Sequence, residues 1–172
     1  MGQIGSESAT GGTMVERKSD RELVVTRTFH APPRIVFAAW TTPALFMRWW
    51  APKSMGVPLL SCEMDVRTGG GYRVAFGDDP ATAMAFFGTY LEVVPNERLV
   101  WTNEEGDEGA ITTVTFQEQD GKTLLMFHEL YPSKEALDDA YIGMEGGTIE
   151  QFGQLDELLA SLVGVDGRSG IE

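Results

Sequence analysis

The stretch from Leu60 to Tyr131 leaves this chain few folds to choose from. It is a run of period-two segments joined by connections too short for a crossover. "LSCEMDVR" sets Leu60, Cys62, Met64 and Val66 on one face and Ser61, Glu63, Asp65 and Arg67 on the other, the pattern of a half-buried strand. "TGGG" supplies a turn, and "YRVAF" returns with Tyr72, Val74 and Phe76 together. "AMAFFGTYLEVV" is apolar on both faces, and Gly88 inside it predicts a bulge or a close approach of another chain segment. Pro95-Asn96 turns the chain into "RLVWT", and the acidic "NEEGDEG" makes the next turn. "ITTVTF" then carries Val114 and Phe116 inward, and "DGK" leads into "TLLMFHELY". Parallel neighbours would need a dozen or more residues between them, so these segments form an antiparallel meander of about six strands.

One strand and two short helices precede the meander. In "RELVVTRTF", Leu23, Val25 and Phe29 share a face with Arg27, a cation that must pair with a carboxylate, snorkel to the pocket mouth or meet an acidic ligand, pairing being the first expectation. "FHAPPRIVFAAWTTPALFMRWWAP" then packs three Trp and four Pro into one run. Pro33 can open a helix, Thr42-Pro43 can cap and restart one, and Pro52 stops it. Trp49 and Trp50, adjacent on a helix, point about 100° apart. The expected arrangement puts one in the core and one against the following loop, a wall rather than a ligand-stacking pair. From about Gly147 to Val163 the period changes: Ile149, Phe152, Leu155, Leu158, Leu159 and Leu162 recur at three and four, giving a long amphipathic helix. The whole is α+β, a curved antiparallel sheet wrapped around that helix. Residues 20–164 make the domain, while the Gly/Ser-rich start (1–19) and the tail (165–172) are expected to be flexible.

Thirteen Lys and Arg against 26 Asp and Glu give a net charge of -13, which disfavours nucleic acid and anionic membranes as partners. The single cysteine, Cys62, excludes an internal disulfide, and with no secretion signal or membrane-spanning run the expected location is the cytoplasm. Two histidines and one cysteine, far apart, lack zinc spacing, and "EEGDEG" lacks the alternation of a calcium loop. "TGGGY" is not followed by the Lys-Ser/Thr of a phosphate loop, and no G-x-S-x-G occurs. No metal or cofactor is expected.

Four separated words, "AAWTTPALFMRWWAP", "EMDVRTGGGYRVAF", "FFGTYLEVVPNERLVWT" and "GMEGGTIEQFGQLDELLASL", together with the order of elements, resemble the START-like superfamily, also called SRPBCC. Within it they resemble the family named for the activator of the ninety-kilodalton heat-shock-protein ATPase, over about Glu22 to Val163. The resemblance implies a helix-grip fold with an elongated pocket between sheet and helix. Such relatives bind lipids, hormones or polyketides; some cyclise or hydrolyse them, and some contact chaperones. It therefore implies a small apolar or aromatic ligand, with a cyclase- or hydrolase-type enzyme or a chaperone-interaction module as alternatives. It carries no catalytic residue over to any position here.

With sheet and helix as walls, the expected ligand-binding residues are Ile149, Phe152, Leu155 and Leu159 from the helix and Tyr90, Trp101 and His128 from the sheet. In the enzyme alternative His128 or Tyr90 would move protons, and His128 is the first candidate because imidazole titrates near neutrality. Its strand face carries Leu124, Met126 and Leu130, which makes a packed, satisfied histidine the expected role. Glu129 points to the opposite face and cannot orient it.

Overall fold

The computed structural model describes the backbone of residues 8–10, 13–104 and 109–171, and the side chains of 13–54, 56–104, 109–141 and 147–163. Among the described residues nine strands form one sheet: β1 (Ser8–Thr10), β2 (Thr13–Arg17), β3 (Glu22–Phe29), β4 (Leu59–Met64), β5 (Gly71–Phe76), β6 (Met84–Val94), β7 (Arg98–Thr102), β8 (Ile111–Gln119) and β9 (Lys122–Leu130). Their order is β1-β2-β3-β9-β8-β7-β6-β5-β4, with every neighbouring pair antiparallel. The meander of β4 to β9 is the one the short connections dictate. Helices α1 (Pro33–Thr41) and α2 (Pro43–Phe46), a short turn of 3-10 helix at Lys53–Met55, and the long α3 (Lys134–Ile171) are the other elements of the described residues. Prolines open both short helices, as expected, but the Thr42 hydroxyl makes no capping bond.

The inner face of the sheet carries Val15, Leu23, Val25, Phe29, Val114, Phe116, Leu125 and Phe127, all buried against α1 and α3. Phe152 of α3 meets Phe29, Phe127 and Trp40 edge-on at 5.7, 6.1 and 6.3 Å. Such contacts add to area burial, so this aromatic knot fixes how the helix sits on the sheet. Arg27, on the same face, ion-pairs with Asp156 of α3 at 3.3 Å and donates to the Thr13 hydroxyl at 2.9 Å, the first of the three arrangements open to it.

At both chain ends regular structure extends further than the sequence pattern indicates. Within 1–19, expected to be flexible, residues 8–10 and 13–17 are strands, and Thr13 and Val15 are fully buried. Arg17 reaches Asp138 of α3 at 2.7 Å and lies over the Tyr141 ring, which ties β2 to the start of that helix. Alternation in five residues beside a Gly-rich run is too short a signal to rise above composition. At the other end, α3 begins at Lys134 rather than near Gly147 and runs through Ile171, where a flexible tail was expected over 165–172. Gly143, Gly146 and Gly147 hid its first half, each costing up to about 1 kcal/mol of helix propensity. Tertiary contact overrides that cost: Ala136 and Leu137 are buried, and the Ser133 hydroxyl accepts from the Ala136 N–H as an N-cap.

Gly88 answers the expectation of a close approach. A Cβ there would lie 1.9 Å from the Thr102 carbonyl oxygen and 2.9 Å from the Tyr72 ring, so backbone, not merely a side chain, would have to move. Gly88→Ala should lower stability by about 2 kcal/mol, the scale of core overpacking, read as an earlier chemical-denaturation midpoint.

Candidate functional site

Between the inner face of β4 to β9, the α1–α2 segment and α3 lies a cavity of about 730 Å³. Its far walls follow from strand alternation: Met64 on β4, Tyr72, Val74 and Phe76 on β5, Phe86 and Tyr90 on β6, Trp101 on β7, and Phe127 and Glu129 on β9. Trp40, Phe46, Trp50 and Pro52 close it on one side, and Gly147, Thr148 and Gln151 of α3 on another. The mouth lies where lining residues reach solvent, at Val57, Asp78, Thr82 and Met84, the last 63% exposed.

Strands β6 to β9 place one row of side chains along the inner face of the sheet, and three of its four members, Tyr90, Trp101 and Glu129, line the cavity. Tyr90 pairs with Trp101, Trp101 with Thr112, and Thr112 with Glu129, each directly opposite on the next strand. Residues directly opposite on one face stand about 4.5–5.5 Å apart at Cβ, so the row runs without a gap from a phenol through an indole and a hydroxyl to a carboxylate. Glu129 is 7% exposed, and its orientation is fixed by its donors. The Ala110 carbonyl can only accept, so the Asn103 atom 2.7 Å from it is Nδ2, and that amide also donates to Thr112 Oγ1 at 3.1 Å. Thr112 in turn donates to Glu129 Oε2 at 2.9 Å, and the Tyr131 hydroxyl donates to Oε1 at 2.5 Å. Burial, and then the Glu129 charge, push the Tyr131 phenol well above its ordinary value, which keeps it a donor. Both carboxylate oxygens therefore act as acceptors. Burial likewise raises the Tyr90 phenol, and it pushes the Cys62 thiol up to about 11, so Cys62 packs as a small apolar residue.

The tryptophan-rich run is a wall, and α3 holds it. Trp49 is fully buried, its indole N–H donating to the Ala39 carbonyl at 2.9 Å, while Trp50 stacks on Phe46 at 4.8 Å and faces the cavity. Gln154 of α3 donates to the carbonyls of Trp49 and Ala51 at 2.8 and 3.0 Å and accepts from the Lys53 N–H at 2.8 Å. Gln151 donates to the Trp50 carbonyl, and Glu150 accepts from the Ser54 N–H and hydroxyl, bonds that hold its carboxyl below the usual range. Trp40 sits among the rings of Trp49, Trp50, Trp101 and Phe127, and its indole N–H has no hydrogen-bond partner among the described residues.

Of the residues expected to line a pocket, Tyr90 and Trp101 do. Phe152, Leu155 and Leu159 are core residues, each at most 1% exposed, and Ile149 packs against that core. This placement has a simple cause: the rings around Phe152 fill the space beneath that part of α3, and the cavity opens one turn nearer the helix N-terminus. His128 is on the other face of the sheet, 3.0 Å from Glu22, with Met126 of the same face 40% exposed. Strand alternation that turns Phe127 and Glu129 inward necessarily turns His128 outward. His128→Gln should change stability by less than about 1 kcal/mol, as for exposed ion pairs, and leave binding in the cavity unaltered by calorimetric titration. Glu129 is the site residue that sequence reasoning passed over. The signal was present, since Thr123, Leu125, Phe127 and Glu129 alternate on the face that buries Leu125, but His128 drew the attention that its inward neighbour merited.

Comparison with known proteins agrees with this architecture. The model of the family described as "Activator of Hsp90 ATPase homolog 1-like protein" matches residues 30–160. Among solved structures, a protein of Rhodobacter sphaeroides superposes with a TM-score of 0.79 at 24% identity, covering 87% of this chain and 99% of that one. One of Mycobacterium smegmatis gives 0.74 at 22% identity over 91% and 99%. One of Staphylococcus epidermidis gives 0.70 at 26% identity over 86% and 93%. No curated protein matches this chain.

Proposed function

We propose, from the premise that this chain belongs to the family of Activator of Hsp90 ATPase homolog 1-like proteins, that it binds a small apolar or aromatic molecule in the cavity between sheet and helices. The family shares the START-like helix-grip fold, which commonly serves ligand binding. The observation that carries the proposal is the cavity itself. Its volume of about 730 Å³ falls within the usual range for small-molecule sites, about 300–1,000 Å³. Its walls are mostly aromatic and aliphatic, with few polar groups at fixed places, the composition that binds by burial and orients by hydrogen bonds.

A second reading, an enzyme of the cyclase or hydrolase kind, draws on Glu129, a buried carboxylate on the cavity wall that could take or return a proton. His128, on the far face, has no part in it. The chaperone-contact reading rests on the family description alone. Among the described residues no helix is long and apolar enough to cross a membrane.

Native mass spectrometry of the gently purified protein, with titration of the neutral dye phenylnaphthylamine, tests the reading. A co-purified small molecule, displaced stoichiometrically by the dye, is the expected result. Failure of the dye to bind saturably would contradict it. Incubation with the released molecule separates carrier from enzyme, since a carrier returns it unchanged.

A further inference from the structure

The cavity lining has a sign. Among the described residues, the charged side chains that line the cavity are Glu129 on the inner wall and Asp78 at the mouth, and no Lys, Arg or His does. Glu129 is held as an acceptor by Thr112 and Tyr131, and the row of paired residues sets it two strands from Trp101. At a strand spacing of about 4.8 Å, the two strands that carry them are roughly 10 Å apart along the same wall. Trp40, Trp50, Tyr72 and Tyr90 add further aromatic faces to that lining. Aromatic faces attract cations through the ring quadrupole, and more strongly where water is excluded. A carboxylate in the same enclosure adds a charge-assisted hydrogen bond to any ammonium N–H.

We infer that the ligand carries a protonated amine, which sits against Glu129 while its apolar or aromatic body lies along the Trp101 side of the cavity. This rests on the ligand-binding reading above and adds the chemistry of the polar end. The same lining opposes carboxylate- or phosphate-bearing ligands, because such a group would meet Glu129 inside and Asp78 at the entrance.

The test uses three probes with one ring system and different ends: naphthylethylamine, naphthylethanol and naphthylacetate, titrated calorimetrically into the full chain. Physiological ionic strength screens the general field of the net charge beyond about 8 Å. The amine should bind about tenfold more tightly than the alcohol, and the carboxylate more weakly than either. Glu129→Gln should bring the ratio of amine to alcohol affinity towards one, and Asp78→Asn should reduce it less. Near-UV circular dichroism reports whether the Glu129 variant keeps its packing; if it does not, the wild-type ratio decides alone. Equal affinities for amine and alcohol in the wild type, or an amine preference lost in Asp78→Asn and kept in Glu129→Gln, would overturn the inference. In either case saturable binding of phenylnaphthylamine leaves the ligand-binding reading standing. If neither the dye nor any of the three probes binds, that reading fails and this inference falls with it.

Discussion

Leu155→Asp should give a protein that is insoluble or has lost fixed tertiary packing. Leu155 is fully buried on the face of α3 turned towards the sheet, within the same core as Phe29, Phe127 and Phe152. A carboxylate there loses its hydration without gaining a planned partner, a cost of several kcal/mol against a total stability of about 5–15 kcal/mol for a domain of this kind. Far-UV dichroism retained with the near-UV signal lost is the expected spectrum. Leu155→Ala separates packing from charge: it should cost about 2–5 kcal/mol and remain folded. Since Leu155 does not line the cavity, the alanine variant should bind phenylnaphthylamine as the parent does. A native melting temperature for the aspartate variant would show that α3 does not carry the core.

Gln154→Leu should be the most damaging polar-to-apolar exchange on α3. The side chain is 9% exposed and satisfies three backbone groups of the segment that follows α2. Leucine has a similar volume but makes none of these bonds, so two carbonyls and one N–H lose their partner. Each such loss costs about 1–3 kcal/mol where water cannot replace it, and Trp49, whose carbonyl is one of the three, is itself fully buried. A total of about 3–4 kcal/mol, read by urea denaturation, is expected. The same change should weaken dye binding well beyond what Leu155→Ala does, because Trp49, Ala51 and Lys53, which flank the wall residues Trp50 and Pro52, lose their bonds to α3. A variant of unchanged stability would mean that the segment is held by its rings alone.

The meander, the two proline-led helices and the pairing of Arg27 were legible because each rests on local periodicity or on one charge that had to be matched. The cavity was legible only in part. Tyr72, Val74 and Phe76 were read as one face, and all three line it, yet the helix residues nominated as its wall lie in the core. Periodicity tells which face of α3 is buried; it does not tell where along that face the sheet stands off. That distance is set by the bulk of Phe29, Phe127 and Trp40, which meet Phe152 from three separate elements. The polar row escaped notice for a related reason. Tyr90, Trp101, Thr112 and Glu129 become neighbours only through strand register, and register is fixed by the pairing of whole strands rather than by any one of them.

The central claim, that the cavity takes an apolar molecule, is tested most directly by following the indole N–H signals of the four tryptophans by nitrogen–proton NMR during titration with phenylnaphthylamine. Trp40, Trp50 and Trp101 line the cavity, whereas Trp49 lies in the core with its N–H bonded to Ala39. The signals of Trp50 and Trp101 should move together and saturate at one equivalent, with that of Trp49 moving least. Four unmoved signals in the presence of bound dye would place the binding elsewhere and contradict the account.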